Sequence, residues 1–262
     1  MSTVTSKNGA SIGFDKIGAG PALILIDAAG GFRGFGPMQP LAKHLESDFM
    51  VFTYDRRGRG ESTETLPYAV EREVEDLEAL IQAAGGSASL YGFSSGAILA
   101  LYAAAQGLAI KKLALLEPPL IIEQPASGPG EPDAPDLGAE IAELVGAGRR
   151  GDAVDHFHKS IGVPSEIIAG IRQSPAWPKL ESIAHTLAYD SMISRSFPVE
   201  RLADITTPTL VLASDASDQR LLGWSRGLAD ALPAASFHAV NGTWHGISEE
   251  ALAPILKDFF CS

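Results

Sequence analysis

The sequence has little cysteine, no long apolar run and a shortage of positive charge. Its one cysteine, Cys261, has no partner for an internal disulfide, so the sequence does not require an oxidising compartment. No apolar stretch approaches the roughly 20 residues that cross a bilayer. Residues 1–9 contain no apolar stretch typical of a signal peptide. These absences favour a cytoplasmic protein that has no membrane partner.

Acidic residues outnumber basic ones by 32 to 20, which gives a formal net charge of −12. Such a surface repels phosphate backbones and anionic lipids, so nucleic acid is not an expected partner. The same field mildly disfavours anionic substrates unless local residues reverse it. A chain of 262 residues suffices for one large α/β domain or two small ones, and it shows no repeat of fixed period.

Short apolar runs typical of strands alternate with longer helical patterns, which favours a mostly parallel sheet covered by helices on both faces. Residues 10–17 and 21–27 are predicted to pair as a hairpin, with residues 18–20 (Gly-Ala-Gly) as its turn. A helix is predicted to start at Pro67 and to stop at Gly85. One of its faces is apolar, and its Glu and Asp residues are predicted on the other.

The stretch 118–135 contains six prolines and is predicted to be a linker, because proline interrupts helices and central strands. From Leu137 to about Arg201 the pattern is helical, with no convincing strand. We therefore predict an α/β core formed by residues 1–117 and 206–262, with 118–205 as an inserted helical cap. A separate domain is the alternative.

Residues 92–96 (Gly-Phe-Ser-Ser-Gly) fit the pattern G-x-S-x-G between a predicted strand and an apolar helix. In that setting a sharp turn lifts the Ser94 hydroxyl clear of the sheet, at a helix N-terminus whose dipole favours negative charge. Glycines flank the serine because side chains there would collide with the neighbouring chain. A turn of small residues without chemistry is the alternative interpretation.

This turn and residues 54–62 (Tyr-Asp-Arg-Arg-Gly-Arg-Gly-Glu-Ser) together resemble small bacterial members of the α/β-hydrolase superfamily. The similarity covers most of the chain and weakens in the predicted cap. It implies the α/β-hydrolase fold, Ser94 as nucleophile, a Ser…acid…His chain order and chemistry that needs no cofactor. The three arginines of residues 54–62 are expected in a solvated or structural turn rather than in a phosphate site.

His245 is the predicted base among six histidines, because it lies in a loop between a strand and the last helix. The acid has three candidates. In many members of the superfamily the acid follows the strand that here ends at Ala213, which gives Asp215 or Asp218. In others, including similar lactone hydrolases, it follows an earlier strand, which here gives Glu117. We favour Glu117 and keep the two aspartates as alternatives.

The resemblance also implies two backbone donors that stabilise an oxyanion. Ser95 supplies one, and the loop after Ile26 supplies the other, for which Ala29 is predicted. Similar enzymes often carry His-Gly in that loop, whereas residues 27–31 here read Asp-Ala-Ala-Gly-Gly. Asp27 is expected either to contact the substrate or to brace the loop.

Two other site types are disfavoured. Residues 30–36 follow a strand and are rich in glycine, but Gln39 occupies the place of the third glycine of a dinucleotide-binding fingerprint. His156 and His158 lie on a predicted helix, where their rings point to different faces, and no metal-binding motif is present, so no metal is expected.

The expected function is hydrolysis of a small-molecule carboxylic ester or lactone through an acyl-enzyme. The cap is expected to provide apolar walls, for which the candidates are Phe157, Trp177, Leu187 and Tyr189. The alternative for each of them is a place in the core of the cap. Because a fold does not fix a function, the alternative is a non-hydrolytic lyase or cyclase, or a small-molecule-binding protein, on the same fold.

Overall fold

The computed structural model describes residues 2–122 and 136–262, which form an eight-stranded sheet flanked by helices. The strands are β1 (Ser2–Thr5), β2 (Ser11–Ile17), β3 (Ala22–Ile26), β4 (Met50–Tyr54), β5 (Ala88–Phe93), β6 (Ile110–Leu116), β7 (Thr209–Ser214) and β8 (Ala235–Val240). The helices are α1 (Met38–Leu45), α2 (Val70–Ala83), α3 (Ser95–Ala105), α4 (Leu137–Gly146), α5 (Arg150–Ser160), α6 (Ser165–Gln173), α7 (Trp177–Ser182), α8 (Thr186–Ser196), α9 (Gln219–Ala231) and α10 (Glu249–Cys261). A 3₁₀ helix covers Val199–Asp204. Within the described ranges, no helix is long and apolar enough to cross a membrane.

The strand order in the sheet is β1-β2-β4-β3-β5-β6-β7-β8. The six strands β3 to β8 all run parallel to one another. Strand β2 pairs antiparallel with both β1 and β4. The predicted mostly parallel sheet is therefore confirmed. Because parallel strands end at one edge of a sheet, the segments that follow β3, β5, β6 and β8 meet there.

Both faces of the central strands are apolar, and alternate residues point to opposite faces. In β3, Ile24 and Ile26 belong to the apolar cluster that contains residues of α2 and α3. Leu23 and Leu25 belong to the cluster on the other face, which contains residues of α1 and α10. A strand buried on both faces explains why residues 22–26 form a continuous apolar run.

The predicted hairpin of residues 10–17 and 21–27 is wrong, because β4 lies between β2 and β3 in the sheet. The hairpin that does form joins β1 to β2. Gly18 and Gly20 serve a different purpose, since both have positive φ and pack closely against the backbone that enters β4. A Cβ on Gly20 would lie 2.7 Å from the Asp48 carbonyl oxygen.

Helix α2 buries the predicted apolar stripe, but it differs from the prediction in two ways. It begins at Val70, three residues after the predicted start at Pro67. Two of its acidic residues, Glu73 and Asp76, are buried rather than exposed. Their partners are arginines of the turn after β4, which the sequence of α2 alone does not show, so the burial of these two acids was not predicted.

Between β6 and β7 the chain forms the helices α4 to α8 and the 3₁₀ helix, over the range that the sequence predicts as helical. Part of this segment has a small apolar cluster of its own, which includes Ile141, Val154 and Phe157. Most of the predicted proline linker, residues 123–135, lies outside the described residues.

Candidate active site

Ser94 lies in the sharp turn between β5 and α3, the strand–turn–helix setting that the motif predicts. Its backbone has φ 53° and ψ −120°, a conformation that residues other than glycine rarely adopt. Both flanking glycines are sterically required. A Cβ on Gly92 would lie 2.6 Å from the Ala97 Cα atom, and one on Gly96 would lie 2.5 Å from the Ile26 carbonyl oxygen.

Glu117 and His245 are in contact. Glu117 follows β6, His245 lies in the loop between β8 and α10, and the Glu117 Oε2 atom lies 2.5 Å from the His245 Nδ1 atom. The Glu117 side chain is fully buried. Its Oε1 atom accepts hydrogen bonds from the Ser214 N–H at 2.7 Å and from the Ser217 hydroxyl at 2.6 Å. A buried carboxylate with this many donors is held in one orientation.

Ser217 connects the two residues a second time, because its hydroxyl oxygen also accepts a hydrogen bond of 3.0 Å from the His245 N–H. Sequence reasoning did not identify Ser217. A serine two residues before a helix looks like an ordinary turn residue, and only the fold places it between β6 and the His245 loop.

The two aspartates considered as alternative acids are engaged elsewhere. Asp218 is the N-cap of α9 and accepts a hydrogen bond of 2.9 Å from the Leu221 N–H. Asp215 accepts a hydrogen bond of 3.2 Å from the Gly242 N–H. Of the three candidate carboxylates, Glu117 is the one that contacts the His245 ring.

Backbone strain is concentrated at the same positions. In the described part of the chain, the non-glycine residues with positive φ are Ser94 (53°), Glu117 (45°) and His245 (52°). Such conformations cost about 1–3 kcal/mol each and cluster at active sites, where the surrounding structure maintains them. Three strained residues from three distant parts of the chain therefore mark one site.

Ser94 and His245 line the same cavity, which has a volume of about 200 Å³. Ala29 and Ser95, which carry the two predicted oxyanion donors, line it as well. The other lining residues come from α4, α5, α8, α9 and the adjoining loops: Pro119, Leu137, Phe157, Ser160, Ile161, Asp190, Ser191, Ser194, Arg220, Leu221, Trp224 and Trp244. The exposed wall is mainly apolar, although serines and the charged residues Asp190 and Arg220 also contribute to it.

A larger groove of about 690 Å³ lies elsewhere, and its lining residues include Asp15, Arg33, Glu61 and Lys179. It contains neither Ser94 nor His245. Because volume alone supplies no nucleophile, we place the candidate active site in the smaller, less open cavity.

Of the four predicted cavity-wall residues, Phe157 lines the cavity and the other three do not. Leu187 is buried in the apolar cluster of the helical segment, against which Trp177 packs. The Tyr189 ring stacks on that of Tyr68 with 3.8 Å between centroids. Helical periodicity identifies apolar residues, but it does not distinguish a helix-to-helix contact from a cavity wall.

Asp27 braces the loop that carries Ala29. Its carboxylate accepts a hydrogen bond of 2.8 Å from the Ala28 N–H, and Cβ atoms added to Gly31 or Gly36 would overlap it. The side chain is buried. Burial raises the pKa of Asp27 to about 7, although the Ala28 N–H and the guanidinium groups of Arg59 and Arg56 lower it. The loop therefore wraps around a carboxyl group, which is why its glycines are needed.

The arginines of the turn after β4 are fully buried, so a solvated turn is the wrong alternative and a structural one is right. Arg56 binds Glu73 through both carboxylate oxygens, at 2.8 and 3.0 Å. Arg57 binds Asp76 in the same two-pronged way, at 2.6 and 3.0 Å. Burial alone would raise the pKa of Glu73, but the Arg56 guanidinium outweighs it and holds that pKa below its usual value.

Over residues 2–122 and 136–262, no group of three or more His, Cys, Asp and Glu side chains could hold a metal ion. The His156 Nε2 atom lies 2.6 Å from Glu140 Oε2, in an exposed pair on the helical segment. Neither His156 nor His158 lines the cavity that contains Ser94.

Comparison with known proteins identifies the family. The family model described as "Alpha/beta hydrolase family" matches residues 23–255, nearly nine-tenths of the chain. The chain belongs to the alpha/beta hydrolase family. It is 43% identical to an alpha/beta hydrolase from Sphaerobacter thermophilus DSM 20745, over 99% of this chain and 100% of that one, with a TM-score of 0.89. The predicted superfamily and fold are thus confirmed.

Two further solved structures share the fold at lower identity. An enol-lactonase from Burkholderia xenovorans LB400 is 19% identical, with full coverage of both chains and a TM-score of 0.75. An esterase from Thermogutta terrifontis is 20% identical, over 99% of this chain and 97% of that one, also with a TM-score of 0.75.

Proposed function

We propose that this alpha/beta hydrolase is a serine hydrolase that cleaves a carboxylic ester or lactone through an acyl-enzyme. The observation that carries the proposal is the 2.5 Å contact between Glu117 and His245, at the cavity that Ser94 also lines. A buried carboxylate on Nδ1 leaves Nε2 free to accept a proton, which is the arrangement that a serine nucleophile requires.

In the proposed mechanism, the Ser94 hydroxyl attacks the substrate carbonyl while His245 Nε2 takes its proton. The carbonyl oxygen then carries the negative charge, and the Ser95 and Ala29 N–H groups donate to it. Ser95 is the first residue of α3, where the N–H has no acceptor within the helix. His245 returns its proton to the leaving oxygen, and later activates the water that releases the acyl group.

We further propose that residues 118–205 act as a cap over a core of residues 1–117 and 206–262. In support, Leu137, Phe157 and Ser191 of the helical segment line the cavity together with Ser94. A volume of about 200 Å³ lies below the usual range for drug-sized ligands, about 300–1,000 Å³. A small acyl group or small lactone is therefore the proposed substrate.

The names of two structural relatives, an enol-lactonase and an esterase, are compatible with a carbonyl substrate of this class. The mechanism uses side chains and backbone groups of this chain only, so the proposal includes no cofactor. Nucleic acid and membrane are not proposed as partners, because the net charge is −12. A cytoplasmic location is proposed, since Cys261 is the only cysteine.

A fluorophosphonate probe, followed by mapping of the modified residue, tests the proposal. We expect labelling at Ser94, and we expect Ser94→Ala and His245→Ala to lose both labelling and turnover of p-nitrophenyl acetate. His238→Ala is the matched control, because His238 is an exposed residue of β8. Full activity of Ser94→Ala, or labelling of another residue, would contradict the proposal. Ligand binding without Ser94 reactivity would favour the lyase, cyclase or binding-protein alternative.

A further inference from the structure

The peptide that carries the Ala29 N–H is held on its other side by a buried arginine. The Ala28 carbonyl oxygen, which belongs to the same peptide group, accepts a hydrogen bond of 2.8 Å from Arg59 Nη1. The same nitrogen donates to the Gly31 carbonyl oxygen at 3.1 Å. In a trans peptide the C=O and N–H point in opposite directions. The Ala28 carbonyl also accepts a longer hydrogen bond, of 3.2 Å, from the Gly31 N–H. Because Arg59 lies on the carbonyl side of the peptide, the Ala29 N–H points away from it, and Ala29 lines the cavity.

Ser95, the residue that carries the second proposed donor, is linked to Arg59 through the acid Asp190. The Ser95 hydroxyl donates to Asp190 Oδ1 at 2.7 Å and accepts from Arg56 Nη1 at 3.2 Å. Asp190 Oδ1 also lies 2.7 Å from Arg56 Nη1, and Asp190 Oδ2 lies 2.5 Å from Arg59 Nη2. Arg56, Arg59, Asp190 and Ser95 thus form one hydrogen-bonded group, which we call the Arg59 cluster. It contains Ser95, and through Arg59 it also contacts the peptide that carries the Ala29 N–H.

All four members of the Arg59 cluster are buried, the least buried being Ser95 at 2% exposure. Hydrogen bonds from a charged donor are roughly twice as strong as neutral ones, and they keep their strength away from water. A peptide whose carbonyl is bound by a guanidinium is also polarised, which makes its N–H a better donor.

We propose that Arg59 is a positioning residue, which acts through the Ala28–Ala29 peptide to aim the Ala29 N–H at the reacting oxygen. The proposal rests on the function proposed above, since it needs the oxyanion to form beside Ala29. It differs from an ordinary buried ion pair, which would stabilise the fold without setting the geometry of the reaction.

Arg57 provides the matched control. It lies in the same turn, is equally buried and also binds a buried acid, Asp76, at 2.6 and 3.0 Å. Its other partners are Asn8, Thr65 and the Arg72 carbonyl, none of which belongs to the loop of residues 27–31. A change at Arg57 thus removes a comparable buried interaction without touching the Ala28–Ala29 peptide.

The experiment compares Arg59→Lys with Arg57→Lys. Lysine retains the charge but has no planar fork, so it cannot reach Asp190, Ala28 and Gly31 together. We measure kcat and KM for p-nitrophenyl acetate and the ¹H–¹⁵N resonance of the Ala29 amide. Loss of one oxyanion donor costs about 10²–10³-fold in kcat, so partial misalignment in Arg59→Lys should cost about 10- to 100-fold, with KM little changed. The Ala29 resonance should move in Arg59→Lys and stay in Arg57→Lys.

Equal loss of kcat in the two variants would overturn the proposal, and so would an unmoved Ala29 resonance or unchanged kcat in Arg59→Lys. Thermal unfolding of both variants is measured, and the assay is run at a temperature below both transitions. Failure of the proposed function looks different, because the wild type itself would then show no Ser94-dependent turnover. In that case, the Ala29 resonance still decides whether Arg59 holds the loop.

Discussion

Glu117 and His245 are 128 residues apart in the sequence, and their side chains meet at 2.5 Å between Oε2 and Nδ1. Each has a left-handed backbone, with φ 45° and 52°. A single hydroxyl, that of Ser217, contacts the Glu117 carboxylate and the His245 N–H. The contact is thus maintained by the side chains and also by the loop that carries the imidazole.

The first prediction concerns Glu117→Gln. The carboxamide oxygen would still accept from Ser214 and Ser217, but its NH₂ group would face His245 Nδ1. The imidazole would then carry its proton on Nε2, where it cannot accept one from Ser94. We expect kcat for p-nitrophenyl acetate to fall by about 10³- to 10⁴-fold.

Asp215→Asn and Asp218→Asn are the controls for this prediction. Asparagine still accepts from the Gly242 N–H at one position and still caps α9 at the other, so turnover should stay within about twofold of wild type. A loss of several orders of magnitude in either control, with a mild effect of Glu117→Gln, would move the acid to that aspartate.

The second prediction concerns strain at Ser94. Glycine adopts φ 53° freely, whereas alanine meets the same steric penalty as serine. Ser94→Gly and Ser94→Ala both lack the hydroxyl, so their comparison isolates the backbone. We expect Ser94→Gly to be more stable to urea than Ser94→Ala by about 1–2 kcal/mol. Equal stabilities would mean that the turn relaxes when the hydroxyl is removed.

The third prediction concerns pH and Asp27. Burial raises the pKa of Asp27 from the ordinary 3.8 to about 7, so the folded protein binds a proton that the unfolded chain has released. The stabilising contribution is complete below pH 3.8 and is lost as the pH rises through about 7. Asp27→Asn keeps an oxygen for the Ala28 N–H and cannot titrate.

Urea unfolding of the wild type and Asp27→Asn between pH 4 and 8 measures this effect. As the pH rises from 4 to 8, the free energy of unfolding of the wild type should fall relative to that of the variant by up to about 4 kcal/mol. Asp76, whose pKa burial raises to about 6, contributes to both proteins and cancels in the difference. Parallel pH profiles would show that Asp27 stays charged in the folded protein.

The fourth prediction concerns substrate size. Trp224 of α9 lines the cavity, and Trp177 of α7 does not. Trp224→Ala should raise the ratio of kcat/KM for p-nitrophenyl octanoate to that for the acetate by about tenfold. Trp177→Ala should leave the ratio unchanged. An equal effect of both would mean that the tryptophans influence size selection through stability alone.

The sequence predicted the parts of the fold that depend on local pattern. Residues 22–26 are an apolar run in a strand buried on both faces, and residues 92–96 have the glycine spacing that their turn requires sterically. The predicted hairpin was wrong because Gly18 and Gly20 indicate a turn but do not show that β4 lies between the two strands that the turn connects. Strand order depends on long-range pairing, which local patterns do not contain.

Side-chain partners were harder to predict than elements. Arg56, Arg57 and Arg59 lie among glycines in an acidic protein, a setting that also fits a solvated turn. Their burial depends on acids from α2 and α8, up to 134 residues away in the case of Arg56 and Asp190. For Asp27 the sequence left two uses open, contact with the substrate or bracing of the loop. Only the structure shows the glycines that pack on its carboxyl group, because they follow it in an irregular loop.

The attachment of Asp190 to Arg56 and Arg59 limits how this protein can be recombined with its relatives. Asp190 belongs to α8, whereas both of its arginines belong to the turn after β4. A chimera that imports the segment between β6 and β7 from a donor without an acid at this position would leave guanidinium charge uncompensated in the interior, which is strongly destabilising. A segment that is grafted to change substrate preference must therefore carry an aspartate at the position of Asp190.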